Sequence, residues 1–255
     1  MERLSPFDTV MHTSFVPDKE YRHFAADVFP TVHPTHWLTS HFAVGGWSPL
    51  QRISGMLTAH MTQIAPQNGF TWHPHRGLEI YTWVIEGKLY HEDTTGGAGD
   101  IETGELQRMF SGQWIEHQEL NPWDETARVI QIWYVADPKY RDLEPHYQQV
   151  RKTDLPRRVV GDATVFSLIG DESPMEQHMH GRLTATTISA GGSTTVESPR
   201  EGEDLFLYVT DGEAVLDDRE MGQYDVVLAR PGTDISIKSV SNFHYLSFYL
   251  PKFLD

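Results

Sequence analysis

The chain consists largely of short runs rich in β-branched and aromatic residues, each broken by Gly, Pro, Asn or Asp. Such runs are typical of antiparallel all-β proteins. We expect strands at residues 53–64, 78–85, 128–136, 182–189, 205–209 and 242–250. Helical periodicity is weak, and it predicts short helical pieces only near residues 137–143 and in the N-terminal arm. The fold class that this pattern predicts is therefore all-β.

Two parts of the chain follow the same plan of a strand, a Gly-containing turn and further strands. Residues 84–88 (VIEGK) in the first part parallel residues 209–213 (VTDGE) in the second. An acidic residue followed by Gly suits a tight hairpin. We therefore predict a duplicated β-barrel unit, with a first domain at residues 1–140 and a second at residues 159–255. The charged, Pro-bearing segment 141–158 has the composition of a connector.

Composition excludes several kinds of function. The chain has 36 acidic and 20 basic side chains, a formal charge of −16 that would repel phosphate backbones, so we expect no direct nucleic-acid binding. We see no secretion signal and no long uncharged apolar run, which predicts a cytoplasmic protein without a membrane span. The sequence contains no cysteine, so a metal would have to be bound by His, Asp or Glu.

Two short motifs have the spacing of metal ligands. His73 and His75 stand at positions i and i+2, and His117 and Glu119 repeat that spacing 42 positions later (117 − 75). In an extended chain each pair lies on one face of its strand. If the intervening chain folds back, the pairs can face each other and supply three nitrogens and one oxygen. That set suits Fe(II), Mn, Ni, Cu or Zn.

Five segments together resemble the pirin family of the cupin superfamily: residues 73–79 (HPHRGLE), 86–93 (EGKLYHED), 117–119 (HQE), 131–133 (QIW) and 144–148 (EPHYQ). The resemblance implies two tandem cupin barrels of the double-stranded β-helix, or jelly-roll, type. It implies that His73, His75, His117 and Glu119 hold one divalent metal, usually iron.

The resemblance also implies that the second barrel has lost its ligands. Residues 198–204, before the strand predicted at Leu205, contain no histidine, which agrees with that expectation. We interpret His178 and His180 as part of a surface turn, because they precede the first long strand of the second domain.

Other residues near the motifs leave alternatives open. Glu79 lies an even number of residues from His73 and His75, so in a continuous strand its side chain would face the same side as theirs. It is either an alternative metal ligand or a residue that hydrogen-bonds to the ligands.

Tyr81 and Trp83 continue that parity, and with Ile115 they are candidate pocket residues. The family commonly has a small residue where this chain has Trp114. The indole either narrows the pocket mouth or packs outside it.

Four protein ligands would leave open positions on the metal for a substrate or for dioxygen. Resemblance to bacterial relatives with quercetin 2,3-dioxygenase activity implies cleavage of a flavonol-like small aromatic substrate by O2. Glu119 would then serve as a metal ligand and as a general base.

The competing hypothesis, also implied by the resemblance, is a non-enzymatic regulator that binds protein partners and uses its iron as a redox switch. A third is a metal that only stabilises the fold. An open apolar pocket beside the metal would favour the enzyme. A site sealed by Trp114, with a large apolar patch elsewhere, would favour the regulator.

Overall fold

The computed structural model describes residues 21–254, which form strands along most of their length. The strands of the first half are β1 (Tyr21–Phe24), β2 (Thr31–Thr35), β3 (Leu38–Val44), β4 (Met56–Ile64), β5 (Asn68–His75), β6 (Leu78–Glu86), β7 (Lys88–Asp93), β8 (Ala98–Glu102), β9 (Leu106–Phe110), β10 (Ile115–Asn121), β11 (Ala127–Val135) and β12 (His146–Val150). Those of the second half are β13 (Arg157–Val160), β14 (Ala163–Ile169), β15 (Arg182–Ile188), β16 (Ser193–Val196), β17 (Glu203–Asp211), β18 (Ala214–Leu216), β19 (Arg219–Met221), β20 (Val226–Ala229), β21 (Ile235–Ser239) and β22 (Phe243–Pro251). The all-β prediction is confirmed, and each predicted strand is present within a few residues.

Helical structure is confined to single turns within residues 21–254. Three 3-10 helices lie at Ala26–Val28, Pro138–Tyr140 and Lys152–Asp154. The second matches the helical piece predicted near residues 137–143. The first twenty residues of the N-terminal arm, where another was predicted, lie outside the described residues. None of the described helices has the length and apolar character needed to cross a membrane.

The strands form four sheets, and the two halves repeat one arrangement. The first half has a seven-stranded sheet in the order β12-β9-β6-β11-β4-β3-β2 and a four-stranded sheet in the order β5-β10-β7-β8. The second half has a seven-stranded sheet in the order β1-β20-β17-β22-β15-β14-β13, which includes β1 from the first half of the chain, and a four-stranded sheet in the order β16-β21-β18-β19. Every position in one order has a counterpart in the other. The duplication predicted from sequence is therefore present as paired open sheets, with no closed barrel among the described strands.

Two edge strands pair with strands on the other side of a predicted domain boundary. β1 comes early in the chain but pairs with β20 of the second half. β12 lies inside the predicted connector 141–158, yet it pairs with β9 of the first half. Edge strands join partners that are distant in sequence, so local composition does not show where they belong. Sheet membership therefore differs from the predicted division at residues 140 and 158.

The four sheets pack as layers, with the two seven-stranded sheets in the middle. In the first half, Val84 packs against Leu89 and Ile101 of the four-stranded sheet, and an equivalent cluster fills the second half. A larger cluster contains Tyr81 of the first seven-stranded sheet and Phe206 of the second. Alternate residues of β6 consequently face either the interior of the first half or the interface between the halves.

The acidic-Gly motifs form corners between sheets instead of the predicted hairpins. Gly87 joins β6 of the seven-stranded sheet to β7 of the four-stranded sheet, and Gly212 joins β17 to β18 in the same way. Both glycines have positive φ, +70° and +84°. A Cβ on Gly87 would lie 2.6 Å from the carbonyl oxygen of Thr126, and one on Gly212 would meet the carbonyl oxygen of Asn242. Glycine is needed at both corners for conformation and for space.

Candidate metal centre

The two predicted ligand pairs lie side by side on neighbouring strands. β5 carries His73 and His75, β10 carries His117 and Glu119, and His117 stands directly opposite His73. Ring centroids are 4.3 Å apart for His73 and His117, and 5.0 Å apart for the other two histidine pairs. One ring nitrogen from each histidine lies within 4.8 Å of the others. The structure therefore brings the three predicted histidines together.

Glu119 is not part of this trio, but it groups with His117 and with His91. The pairing of β10 with β5 shifts register between His117 and Glu119. One oxygen of Glu119, Oε2, accepts a hydrogen bond from Nε2 of Gln131 at 2.6 Å. The other, Oε1, is buried and has no hydrogen-bond partner. Glu119 thus presents an unpaired oxygen beside the imidazoles.

Hydrogen bonding orients His73, and burial keeps His75 and His117 in the neutral form that metal binding requires. Nδ1 of His73 donates to the carbonyl oxygen of Thr71 at 2.8 Å, which leaves Nε2 with a free lone pair. Burial, and then the proximity of His73, lowers the pKa of His75 to about 4. Burial, and then the neighbouring His73, His91 and His75, lowers the pKa of His117 to about 2. His75 and His117 are therefore neutral near pH 7.

The unsatisfied polar atoms of this cluster fit a divalent metal. Nε2 of His75, both ring nitrogens of His117 and Oε1 of Glu119 are buried without a partner. Buried polar atoms are normally paired, because leaving one unpaired costs about 1–3 kcal/mol. A borderline divalent metal accepts this combination of imidazole and carboxylate. Burial is also the main influence on Glu119, and it raises the pKa of that carboxyl.

His91 lies close enough to be considered as a ligand, since it groups with His117 and Glu119. Its Nε2 is 2.8 Å from Oδ2 of Asp93, and its Nδ1 is 3.1 Å from Nε2 of Gln107. Because both ring nitrogens already have partners, His91 is a neighbour of the cluster with no free ligand atom. His73 and His75 remain the better partners for His117.

A cavity of about 580 Å³ leads to these side chains. Its walls are formed by Pro34, Leu38, Ser40, Phe42, Gly46, Leu57, Thr58, His60, Thr62, Phe70, His73, His75, Ile80, His117, Glu119, Gln131 and Trp133. This volume lies in the range of small-molecule sites, and much of the wall is apolar. Trp114 is 54% exposed and is not part of the wall, so the indole packs outside the cavity.

Three side chains of β6 face away from the cavity: Glu79, Tyr81 and Trp83. The alternation counted from His73 and His75 had predicted that they face the metal site. The chain turns at Gly77, whose φ is +66°, and β5 and β6 belong to different sheets. Strand parity cannot be carried across such a turn.

The odd-numbered residues of β6 face the interface between the halves. Glu79 is fully buried there, where it accepts hydrogen bonds from Nε of Arg108 at 2.6 Å and from the backbone N–H of His178. The Tyr81 hydroxyl donates to the carbonyl oxygen of Glu176.

Ile115 has the predicted orientation but a different role. It stands opposite His75 on β5, and it is completely buried. It packs with Ile80 and Met109. Ile115 therefore supports the strand that carries His117 without lining the cavity.

The second half has a smaller cavity, of about 320 Å³, without histidine in its wall. Thr184, Thr186 and Tyr245 are among its wall residues. Among residues 21–254, no cluster of metal-ligating side chains lies in the second half. His178 is not simply in a surface turn: it is half-buried between the halves and stacks on Tyr140, whereas His180 is exposed.

The sequence motifs did not reveal a cross-strand row that contains the cavity residues Gln131, His60 and Phe42. These three and Thr82, which is not part of the cavity wall, stand opposite one another across β11, β4, β3 and β6. Gln131 belongs to a motif of the family resemblance, but its hydrogen bond to Glu119 was not foreseen. The alternation of polar residues at 58, 60 and 62 in β4 was the available signal for a polar inner face.

Comparison with known proteins agrees with this architecture. The family model described as Pirin matches residues 38–134. A pirin-like protein of Solanum lycopersicum is 27% identical over 204 residues, covering 77% of this chain and 70% of that protein. A Pseudomonas aeruginosa protein named as a candidate quercetin 2,3-dioxygenase is 35% identical over 170 residues, covering 63% of this chain and 71% of that protein.

Solved structures share the fold at lower sequence identity. The bacterial pirin YhhW of Escherichia coli, solved in complex with nickel(II), has a TM-score of 0.75 and 23% identity. The superposition covers 91% of this chain and 99% of YhhW. The ligand spacing, the duplicated sheets and the sequence relatives lead to one conclusion: the chain belongs to the pirin family.

Proposed function

We propose that this protein is a metal-dependent dioxygenase that cleaves a flavonol-like substrate with O2. The observation that carries the proposal is the group of His73, His75 and His117 at an open apolar cavity of about 580 Å³, with the buried carboxylate of Glu119, one oxygen of which is unpaired, next to His117. The name of the Pseudomonas aeruginosa relative supports a quercetin 2,3-dioxygenase type of reaction. The structure of a quercetin 2,3-dioxygenase from Acinetobacter baumannii has the same fold, with a TM-score of 0.78.

His73, His75, His117 and Glu119 are the residues that would hold the metal. We propose Fe(II), with Mn, Ni, Cu and Zn as alternatives to be compared; the nickel(II) bound to YhhW supports a divalent ion. When bound, the metal would supply Lewis acidity and open positions for the oxygen atoms of the substrate and for dioxygen.

The cavity walls provide binding and orientation. Phe42, Phe70 and Trp133 offer aromatic surfaces that suit a flat aromatic molecule. Packing of such a molecule against them displaces water from the carboxylate and the imidazoles. The substrate class that fits these walls is therefore planar and largely apolar.

In this proposal Glu119 accepts a proton from the substrate. Gln131 donates to Oε2, which fixes the carboxylate. Oε1 has two lone pairs, so one would face the metal and the other would accept the proton of a substrate hydroxyl. Burial raises the pKa of Glu119, and a carboxyl with a raised pKa is a better proton acceptor near neutral pH. Glu119 is therefore our proposed general base.

The test is aerobic turnover of quercetin by protein loaded with one metal at a time. The protein is stripped of metal, loaded without oxygen, and then mixed with air-saturated quercetin while absorbance and O2 consumption are followed. We expect about one equivalent of metal and metal-dependent loss of quercetin with matching O2 uptake. Bound metal without quercetin loss, for every metal tried, would refute the enzyme proposal and favour the redox-responsive regulator.

A further inference from the structure

His60 is a cavity residue that the proposed chemistry does not use. It lies in the middle of β4, lines the cavity and is 9% exposed. Its ring stacks on Phe42, with centroids 4.7 Å apart and planes inclined by 21°. His60 does not belong to either group of metal-ligating residues.

The hydrogen bonds around His60 determine its tautomer. The Thr58 hydroxyl donates to the carbonyl oxygen of Val44 at 2.8 Å, which uses its only proton. The same hydroxyl oxygen lies 3.0 Å from Nδ1 of His60. Thr58 must therefore accept at this contact, and Nδ1 must carry the hydrogen. Nε2 is left without a hydrogen, so it is an acceptor.

Nε2 of His60 is available to a ligand. No other described residue forms a hydrogen bond to the imidazole, and Nε2 is not among the fully buried unpartnered atoms. Burial lowers the pKa of His60 to about 4, so the ring stays neutral near pH 7. The cavity wall thus presents a neutral acceptor whose orientation Thr58 fixes.

The position of this acceptor relates it to the metal centre. Gln131, which binds Glu119, stands directly opposite His60 on the neighbouring strand β11. Neighbouring strands are about 4.8 Å apart. A flat molecule lying over Gln131 with one end at Glu119 would therefore bring its other end toward His60 and Phe42.

We propose that His60 is a specificity-determining residue, whose Nε2 accepts a hydrogen bond from a phenolic hydroxyl at the end of the substrate remote from the metal. The inference rests on the proposed function and makes its substrate class narrower. The preferred substrate is a flavonol with a hydroxyl on its remote ring. A flavonol without that hydroxyl leaves the acceptor unpaired.

The test compares two substrates and two protein variants. H60F keeps an aromatic ring beside Phe42 and removes the acceptor. Quercetin carries remote hydroxyls, whereas 3-hydroxyflavone does not. We expect H60F to raise KM for quercetin roughly 3–10-fold, the value of one neutral hydrogen bond, and not to raise KM for 3-hydroxyflavone. H36F, at an exposed histidine between β2 and β3, is the matched control and should leave both values unchanged.

Equal changes for the two substrates would mean that His60 only fills space, and no change for either would mean that it makes no contact; both results overturn the inference. Metal content and Tm of H60F verify that the site and the fold persist.

If the wild-type protein turns over neither flavonol, the proposed function fails by itself. The same comparison is then made as anaerobic equilibrium binding, followed by tryptophan fluorescence. A loss of affinity in H60F for quercetin alone supports the inference. Equal losses, no loss, or no binding to the wild type overturn it.

Discussion

The two halves of the molecule share one sheet order but present different side chains in their cavities. In the first half, β5 and β10 supply His73, His75, His117 and Glu119. In the second half, the corresponding strands β16 and β21 are rich in Ser, Thr, Val and Ile. The wall of the second cavity includes one carboxylate, Glu197, which is paired with Arg158 and Arg182. The sheet order therefore forms without ligands, and side chains decide the chemistry.

A second contrast concerns two buried acids of the first half. Glu79 faces the interface between the halves, where Arg108 and the backbone of His178 satisfy it. Glu119 faces the cavity and keeps one oxygen free. A buried carboxylate with complete partners supports structure, whereas one with a free oxygen is available for a metal or a proton. The predictions below test both contrasts.

The largest effect is expected from removing one of the three imidazoles. H117A should lose its metal and reduce quercetin turnover by more than about a hundredfold, beyond the 10–100-fold typical of residues that only support ligands. The matched control is T184V in the wall of the second cavity, where we expect unchanged metal content and turnover. Elemental analysis and initial rates check both variants. Full activity in H117A would reject the proposed site.

Removing the carboxylate of Glu79 should lower stability without releasing the metal. Because E79Q removes the buried charged partner of the completely buried Arg108 and leaves only the exposed Glu176, 3.6 Å away, we expect the free energy of unfolding to fall by about 3 kcal/mol. Urea unfolding measures the stability of E79Q, and elemental analysis measures its metal content. E119Q is the comparison, because it should lose metal. Loss of metal from a fully stable E79Q would show instead that Glu79 is a ligand.

Acid should destabilise the metal-free protein partly through His60. The pKa of His60 is lowered by burial from 6.5 to about 4, so the unfolded chain binds more protons between these values. Stability therefore rises with pH across this window and is lost as pH falls. One pKa unit corresponds to about 1.4 kcal/mol, so the contribution of His60 is about 3 kcal/mol. Between pH 4 and 7, the free energy of unfolding measured with urea should depend less steeply on pH in H60F than in the wild type. Identical slopes for the two proteins would contradict the contribution assigned to His60.

Alanine substitutions at the two corner glycines should lower stability by similar amounts. This comparison tests whether the corners of the two halves are structurally equivalent. G87A and G212A place a Cβ against a carbonyl oxygen at positive φ, so we expect each to destabilise the protein by about 1–3 kcal/mol. G202A is the control, because Gly202 also has positive φ but open space around it. The Tm of G202A should fall less than the Tm of G87A or G212A. A neutral effect at only one corner would show that the two corners are not equivalent.

Much of the fold could be predicted from local sequence. The six predicted strands contain enough β-branched and aromatic residues to be recognised, whereas short strands such as β8 (AGDIE) and β19 (REM) do not. The acidic-Gly motifs marked both corners, at Gly87 and Gly212. The partners of β1 and β12 could not be predicted, because edge-strand pairing depends on contacts between residues far apart in sequence.

The candidate site was predicted as far as strand parity holds. Within β5 and β10 the alternation brought the three histidines, His73, His75 and His117, together, whereas a register shift between His117 and Glu119 leaves Glu119 grouped with His117 and His91. The alternation failed at Glu79 because the turn at Gly77 resets the direction of the side chains. His60 was missed because a single histidine in a strand has no distinctive spacing, and its role depends on cross-strand neighbours.

The most direct test of the central claim is the position of the metal in a crystal of the loaded protein, located by anomalous scattering. We predict one peak per chain, bound by His73, His75, His117 and Glu119, and no peak in the cavity of the second half. A peak in the second cavity, or one bound by Glu79, would contradict the account.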